Sequence, residues 1–228
     1  MTSRPVALIT GATRGIGAAT ARVLAPTHEL LLGGRDAAAL DALASELPAA
    51  RPWPVELTDP AALAEATAEL SELDVLVHSA GTVLLADLDA TSAEQWRQML
   101  ELNVVAVAEL TRLLLPALRV RRGQVVLINS GQGINVSGGW GAYAASKFAL
   151  RAYADVLRME EAANGLRVTT VYPGRTDTAM QREVFAAEGR EYEAKGLLRP
   201  ESVAEAVRGA VLATPDAHQT ELVIRPAP

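Results

Sequence analysis

The chain has 228 residues, half of them hydrophobic, and a formal net charge of −6. That length supplies a substantial core, and the acidic balance argues against a general nucleic-acid or anionic-membrane surface. No cysteine is present, which excludes disulfides, thiolate nucleophiles and thiolate metal sites; no apolar run approaches the roughly 18 residues of a membrane span, so a cytoplasmic protein is expected.

Apolar runs and helical periods alternate from end to end. Residues 6–9 read as a buried strand, and the glycines at 11, 15 and 17 turn the chain into a helix reaching about residue 24. Residues 29–32 form a second strand, and Asp36 is placed to cap an Ala/Leu-rich helix running to 47. A weaker third strand is expected at 53–57. Pro52 and Pro54 cannot donate to a ladder, so that strand belongs on a sheet edge. A helix at 60–73 leads into a strand at 74–78, and a long helix follows at 92–118 with Pro116 loosening its last turn. Strands at 124–129 and 166–172 flank a helix at 141–163, and a helix at 200–213 precedes a last strand at 221–225.

This alternation implies an α/β, doubly wound Rossmann fold: a seven-stranded parallel sheet in the order 3-2-1-4-5-6-7, with helices on both faces and right-handed crossovers. The third strand then falls on the edge, where its prolines require it. No repeat, low-complexity segment or linker divides the chain, so residues 1–228 read as one domain. The basic run Arg119-Val-Arg121-Arg122 ends a helix and reads as solvated charge stabilised by the helix dipole.

Thr10-Gly-Ala-Thr-Arg-Gly-Ile-Gly17 follows the first strand directly. Its glycines permit a tight turn and close backbone approach, and the helix N-terminus offers N–H groups to a pyrophosphate. The second strand ends Leu32-Gly-Gly-Arg35 without a carboxylate, and Arg14 is a second cation that can reach the same region. Guanidinium forks suit a 2′-phosphate, so NADP(H) is expected over NAD(H).

Tyr143-Ala-Ala-Ser-Lys147 puts a phenol and an ammonium on one helix face, with Ser130 upstream. Only two of the 21 basic residues are lysines, Lys147 and Lys195. A nearby cation favours phenolate and is expected to lower the tyrosine pKa, giving a proton donor and acceptor for alcohol–carbonyl interconversion. Ser146 lies off that face and reads as helix filler.

With these residues in place, the chain resembles the short-chain dehydrogenase/reductase family, in its compact single-domain subgroup. The family's TGxxxGxG motif stands as Thr10 to Gly17, its NNAG motif as His78-Ser79-Ala80-Gly81, its helix asparagine as Asn103, its YxxxK pair as Tyr143 and Lys147, and its Pro-Gly motif as Pro173-Gly174. The resemblance implies a catalytic set of Asn103, Ser130, Tyr143 and Lys147. Tyr143 would donate the proton, Ser130 bond the substrate oxygen, Lys147 hold the nicotinamide ribose, and Asn103 anchor a proton-relaying water. It also implies cofactor contacts from Gly11, Thr13, Arg14, Gly15, Ile16, Gly17, Arg35, Glu56, Leu57, Ser79, Ala80, Gly81, Tyr143, Lys147, Pro173, Gly174, Thr176 and Thr178.

His78-Ser79 departs from the paired asparagines, so the sheet there must be supported by other hydrogen bonds. His78 reads as a satisfied structural histidine. A homodimer or homotetramer is implied. A small-molecule carbonyl or alcohol is the expected substrate, in a pocket walled by residues 131–140. The segment at about 175–198 reads either as a lid over it or as a surface helix, with Gln132 and Arg175 near the mouth to orient polar groups. A non-catalytic NADP(H)-binding sensor on the same fold is the competing reading, but it has no need of the four side chains.

Overall fold

A computed structural model describes residues 4–227. Seven strands form one parallel sheet: β1 (Val6–Thr10), β2 (Glu29–Gly34), β3 (Ala50–Pro54), β4 (Val75–His78), β5 (Gln124–Ile128), β6 (Arg167–Pro173) and β7 (Glu221–Ile224). Their order is β3-β2-β1-β4-β5-β6-β7, as the alternation required. The chain starts in the middle of the sheet, winds to one edge, and returns to wind to the other. The reversal between β1 and β4 opens the crevice in which such sheets bind ligands.

The helices are α1 (Gly15–Leu24), α2 (Ala37–Glu46), α3 (Pro60–Thr67), α4 (Ala93–Leu100), α5 (Ala106–Arg121), α6 (Gly141–Glu161), α7 (Ala179–Ala187) and α8 (Pro200–Val211). Because strand side chains alternate between faces, β1 sends Ala7 and Ile9 to one side and Leu8 to the other. Ala7 and Ile9 pack with Leu24 of α1, Leu40 of α2 and Val207 of α8. Leu8 packs with Leu63 of α3, Leu110 and Leu114 of α5, and Leu150 of α6. Both faces of the sheet are covered by buried apolar side chains, which is why strands that read as continuous apolar runs are stable here.

Three elements differ from expectation. α3 ends at Thr67, six residues before the expected end at 73. β3 begins at Ala50, three residues before the expected start, and pairs only with β2, from Leu30↔Ala50 to Gly34↔Pro54. Pro52 and Pro54 share one parity of the strand, so both missing donors lie on the unpaired side. The long helix at 92–118 is interrupted. Ser92 caps α4 through a reciprocal capping box with Gln95, and a π-helical turn, Glu101–Val105, separates α4 from α5, with the Ala106 N–H bonded five residues back to Glu101 O. The basic run at the end of α5 is tied to carboxylates: Arg119 forks onto Glu161, Arg121 reaches Asp74 at 2.9 Å, and Arg122 ends the helix in a left-handed conformation.

Candidate active site

The crevice is a cavity of about 1210 Å³ at the C-terminal ends of the strands. Every expected cofactor contact lines it except Gly17. Gly17 acts from behind: a Cβ there would sit 2.1 Å from Gly11 O, so its glycine lets α1 pack onto the loop. Gly11 adopts φ 65°, and a Cβ on it would meet the Ala80 backbone at 2.8 Å. The loop after β1 and the loop after β4 therefore touch through glycine.

A single hydroxyl joins the same two loops. Thr10 Oγ1 accepts from the Ser79 and Ala80 N–H groups at 3.1 and 3.2 Å and donates to Val77 O. These bonds supply the support expected from groups other than His78. His78 faces away, where Nε2 bonds Thr111 Oγ1 at 2.9 Å. The Thr111 hydroxyl donates to Val107 O, so Nε2 carries the proton. Burial lowers the His78 pKa to about 3, and the ring is a neutral structural element.

The dinucleotide end of the cavity has matching chemistry. Arg14 is the N-cap of α1 but provides no side-chain cap, and the first turn holds no acidic residue. The helix N–H groups thus remain available to an anion, and the residues present fit a dinucleotide's phosphates. Asp36 is occupied as the α2 cap, accepting from Ala39 N at 3.0 Å. Arg35 lies 3.5 Å from Glu56, both exposed.

At the other end, α6 brings Tyr143 and Lys147 together. Both are buried, and Lys147 Nζ lies 5.7 Å from the Tyr143 ring centre. Asn129, at the end of β5, donates to Lys147 O at 3.1 Å and accepts from Ser130 N at 2.8 Å, so one amide sets the serine against the helix. Ser130 Oγ accepts from Gln132 N, which leaves its O–H to donate. Trp140 stands 5.7 Å from Tyr143, centre to centre, and both lines the cavity and packs on Tyr143.

The electrostatics correct one expectation. The Tyr143 pKa is raised, not lowered: burial is the larger effect, and hydrogen bonding with Ser130 opposes it. The Lys147 ammonium donates to Ile128 O at 3.2 Å and is itself brought down to about 8 by burial. Desolvation disfavours both charged forms, and here it exceeds the pull of the cation on the phenol.

Ser146 corrects another. It is fully buried and is no filler. Its hydroxyl donates to Tyr143 O at 2.7 Å and accepts from Asn103 Nδ2 at 3.0 Å. Asn103, in the π turn and 1% exposed, also exchanges two bonds with Thr82, accepting from its N–H at 2.9 Å and donating to its C=O at 3.0 Å. Asn103 does not line the cavity. It ties the loop after β4 to α6, directly behind the tyrosine.

The expected lid contains α7. Phe185 and Val184 are buried, and Asp177 N–H to Leu198 O (2.8 Å) with Leu198 N–H to Arg175 O (2.9 Å) closes the segment's base. Arg175 is forked onto Glu188, so its charge is engaged within the protein. Gln132 donates to Ser137 at 3.1 Å. Arg225, beyond β7, also lines the cavity, a contact that no local motif announces.

The sheet order and this site place the chain in a known class. It belongs to the short chain dehydrogenase family, whose model matches residues 5–189. A dehydrogenase/reductase SDR family member 7B from Bos taurus is 37% identical over 203 residues, covering 82% of this chain and 62% of that protein's length; the chain therefore spans less than two thirds of this relative. Among solved structures, an alcohol dehydrogenase from the archaeon Thermococcus sibiricus complexed with 5-hydroxy-NADP superposes with a TM-score of 0.89 at 27% identity, covering 99% of this chain and 97% of that one. The closed form of serine dehydrogenase complexed with NADP+ gives 0.88 at 26% identity, with 97% and 94% covered.

Proposed function

We propose that this chain is a single-domain NADP(H)-dependent oxidoreductase that interconverts a small-molecule carbonyl and an alcohol, with Tyr143 as general acid and base. The observation that carries the reading is the buried Tyr143–Lys147 pair, 5.7 Å from ring centre to Nζ, in the cavity that the uncapped end of α1 also enters. Bound NADPH supplies the hydride, and the chain's own side chains do the rest. Tyr143 gives its phenolic proton to the substrate oxygen during reduction and takes one back during oxidation. Burial keeps the phenol protonated through neutral pH, the state that reduction needs. Ser130 donates to the same oxygen and stabilises the charge growing on it.

Lys147, with one donor on Ile128 O, has two left for ribose hydroxyls, and its charge lowers the cost of the phenolate left behind. Asn103 fixes this wall through Thr82 and Ser146. Preference for NADP(H) is supported by Arg14 and Arg35, by the missing carboxylate at the end of β2, and by the 5-hydroxy-NADP and NADP+ found with the two solved neighbours. The exposed Arg35–Glu56 pair is a weak one, which a doubly charged 2′-phosphate would displace. Val105, Phe148, Val156 and Met159 are exposed apolar side chains on the π turn and α6, and they favour a homo-oligomer.

Tyr143→Phe is expected to bind NADPH normally and to lose reductase turnover against every aldehyde and ketone the wild type accepts. Undiminished turnover removes the assignment. Arg35→Asp is expected to move the NADPH:NADH ratio of kcat/KM at least about tenfold toward NADH, the worth of one or more charge-assisted bonds. An unchanged ratio refutes the reading of β2.

A further inference from the structure

Five arginines among the described residues line the cavity: Arg14, Arg35, Arg97, Arg175 and Arg225. Three of them face carboxylates, Arg35 on Glu56, Arg97 on Glu94 and Arg175 on Glu188. Among the described residues, Arg14 and Arg225 have no carboxylate partner. Arg14 sits at the glycine loop, where the cofactor's phosphates belong. Arg225 follows β7, four strands along the sheet from β1, or roughly 20 Å at the usual strand spacing. Arg225 therefore stands away from the phosphate end of the cavity.

The guanidinium of Arg225 crosses the end of β6. Nη1 donates to Tyr172 O at 3.0 Å and to Ile224 O at 3.3 Å, which uses both of its hydrogens. The group then reaches Gly131, the residue after Ser130, where a Cβ would lie 3.4 Å from Nη2 and 3.6 Å from Cζ. Three hydrogens remain, the Nε–H and both on Nη2, and the Nε–H and one Nη2–H point in parallel from one edge of the planar fork. That edge matches the two oxygens of a carboxylate.

We infer that Arg225 anchors a carboxylate on the substrate, which makes the enzyme selective for oxo acids and hydroxy acids over neutral carbonyl compounds. The contact with Gly131, next in the chain to Ser130, puts that carboxylate at the substrate end of the cavity. This rests on the reductase reading of the site, and the test separates the two.

NADPH oxidation is measured with matched pairs: an oxo acid and its methyl ester, and hydroxyacetone and its phosphate. The wild type is expected to prefer the acid over the ester by at least about tenfold in kcat/KM, chiefly through KM. Arg225→Met is expected to lower that acid:ester ratio about 10- to 100-fold, with Arg225→Lys between the two, because a lysine keeps the charge and loses the fork. Equal use of acid and ester, an unchanged ratio in Arg225→Met, or a stronger preference for the phosphate overturns the inference and leaves the reductase reading intact.

Absence of turnover with every carbonyl would instead count against the reductase reading. The anchor is then judged by calorimetric titration of lactate into NADP+-saturated protein. Binding weakened at least tenfold in Arg225→Met supports it, whereas no binding or unchanged binding overturns it. The melting temperature of each variant shows that it is folded.

Discussion

Lys147 is held where its charge is unfavourable, so replacing it by an apolar side chain of similar length should stabilise the fold while removing activity. Burial lowers its pKa from 10.5 to about 8, which at about 1.4 kcal/mol per pH unit corresponds to roughly 3 kcal/mol against the folded state. Lys147→Met also removes the bond to Ile128 O, worth about 1 kcal/mol. The net gain at pH 7 is therefore about 2 kcal/mol, or a melting temperature higher by roughly 4–8 °C for a chain of this size.

The pH dependence has a definite sign. Below pH 8 both folded and unfolded chains carry the charge, and the wild type bears the whole penalty. Between about 8 and 10.5 the folded chain has shed its proton and the unfolded chain has not, so the wild type gains stability with rising pH, by up to about 1.4 kcal/mol per unit. The advantage of Lys147→Met should accordingly narrow between pH 7 and pH 9 in denaturant titrations. A variant less stable than wild type at pH 7, or a difference that does not change with pH, would refute the reasoning.

Two further outcomes follow from buried groups behind the site. His78 has a folded pKa of about 3 against 6.5 unfolded, so its contribution is complete above pH 6.5 and is lost as the pH falls toward 3. About 2 kcal/mol should disappear between pH 7 and pH 5, and His78→Asn should be measurably flatter over that interval. Ser146→Ala removes the acceptor for Asn103 and the donor to Tyr143 O, and should cost about 1 kcal/mol of stability. It should lower kcat several-fold with little change in KM for NADPH; an unaltered kcat would confine Ser146 to a packing role.

The parts of this architecture legible in the sequence are those set by local patterns. Strand order follows from the alternation of apolar runs with helical periods, and the edge position of β3 from Pro52 and Pro54. The glycine loop and the Tyr143–Lys147 pair are fixed by spacing on single elements. What escaped depends on partners distant in the chain. The π turn at Glu101–Val105 has no composition of its own, and its Asn103 meets its partners Thr82 and Ser146 only once β4 and α6 are assembled. Ser146 reads as filler because its task lies across the helix interface. Arg175 looked available because its partner, Glu188, belongs to the far end of α7. Spacing reveals the cation beside Tyr143 but not the depth of burial, and burial decides the direction of the tyrosine shift.

Thr10 Oγ1 has one hydrogen and two lone pairs, and all three are committed, to Val77 O, Ser79 N and Ala80 N. At the place where the winding of the sheet reverses, the two chain segments diverge and nothing in the β-ladder holds their tips at a fixed separation. One saturated oxygen atom does so. The spacing of the two loops at the mouth of the crevice is thus gauged by a side chain with no valence to spare for a ligand.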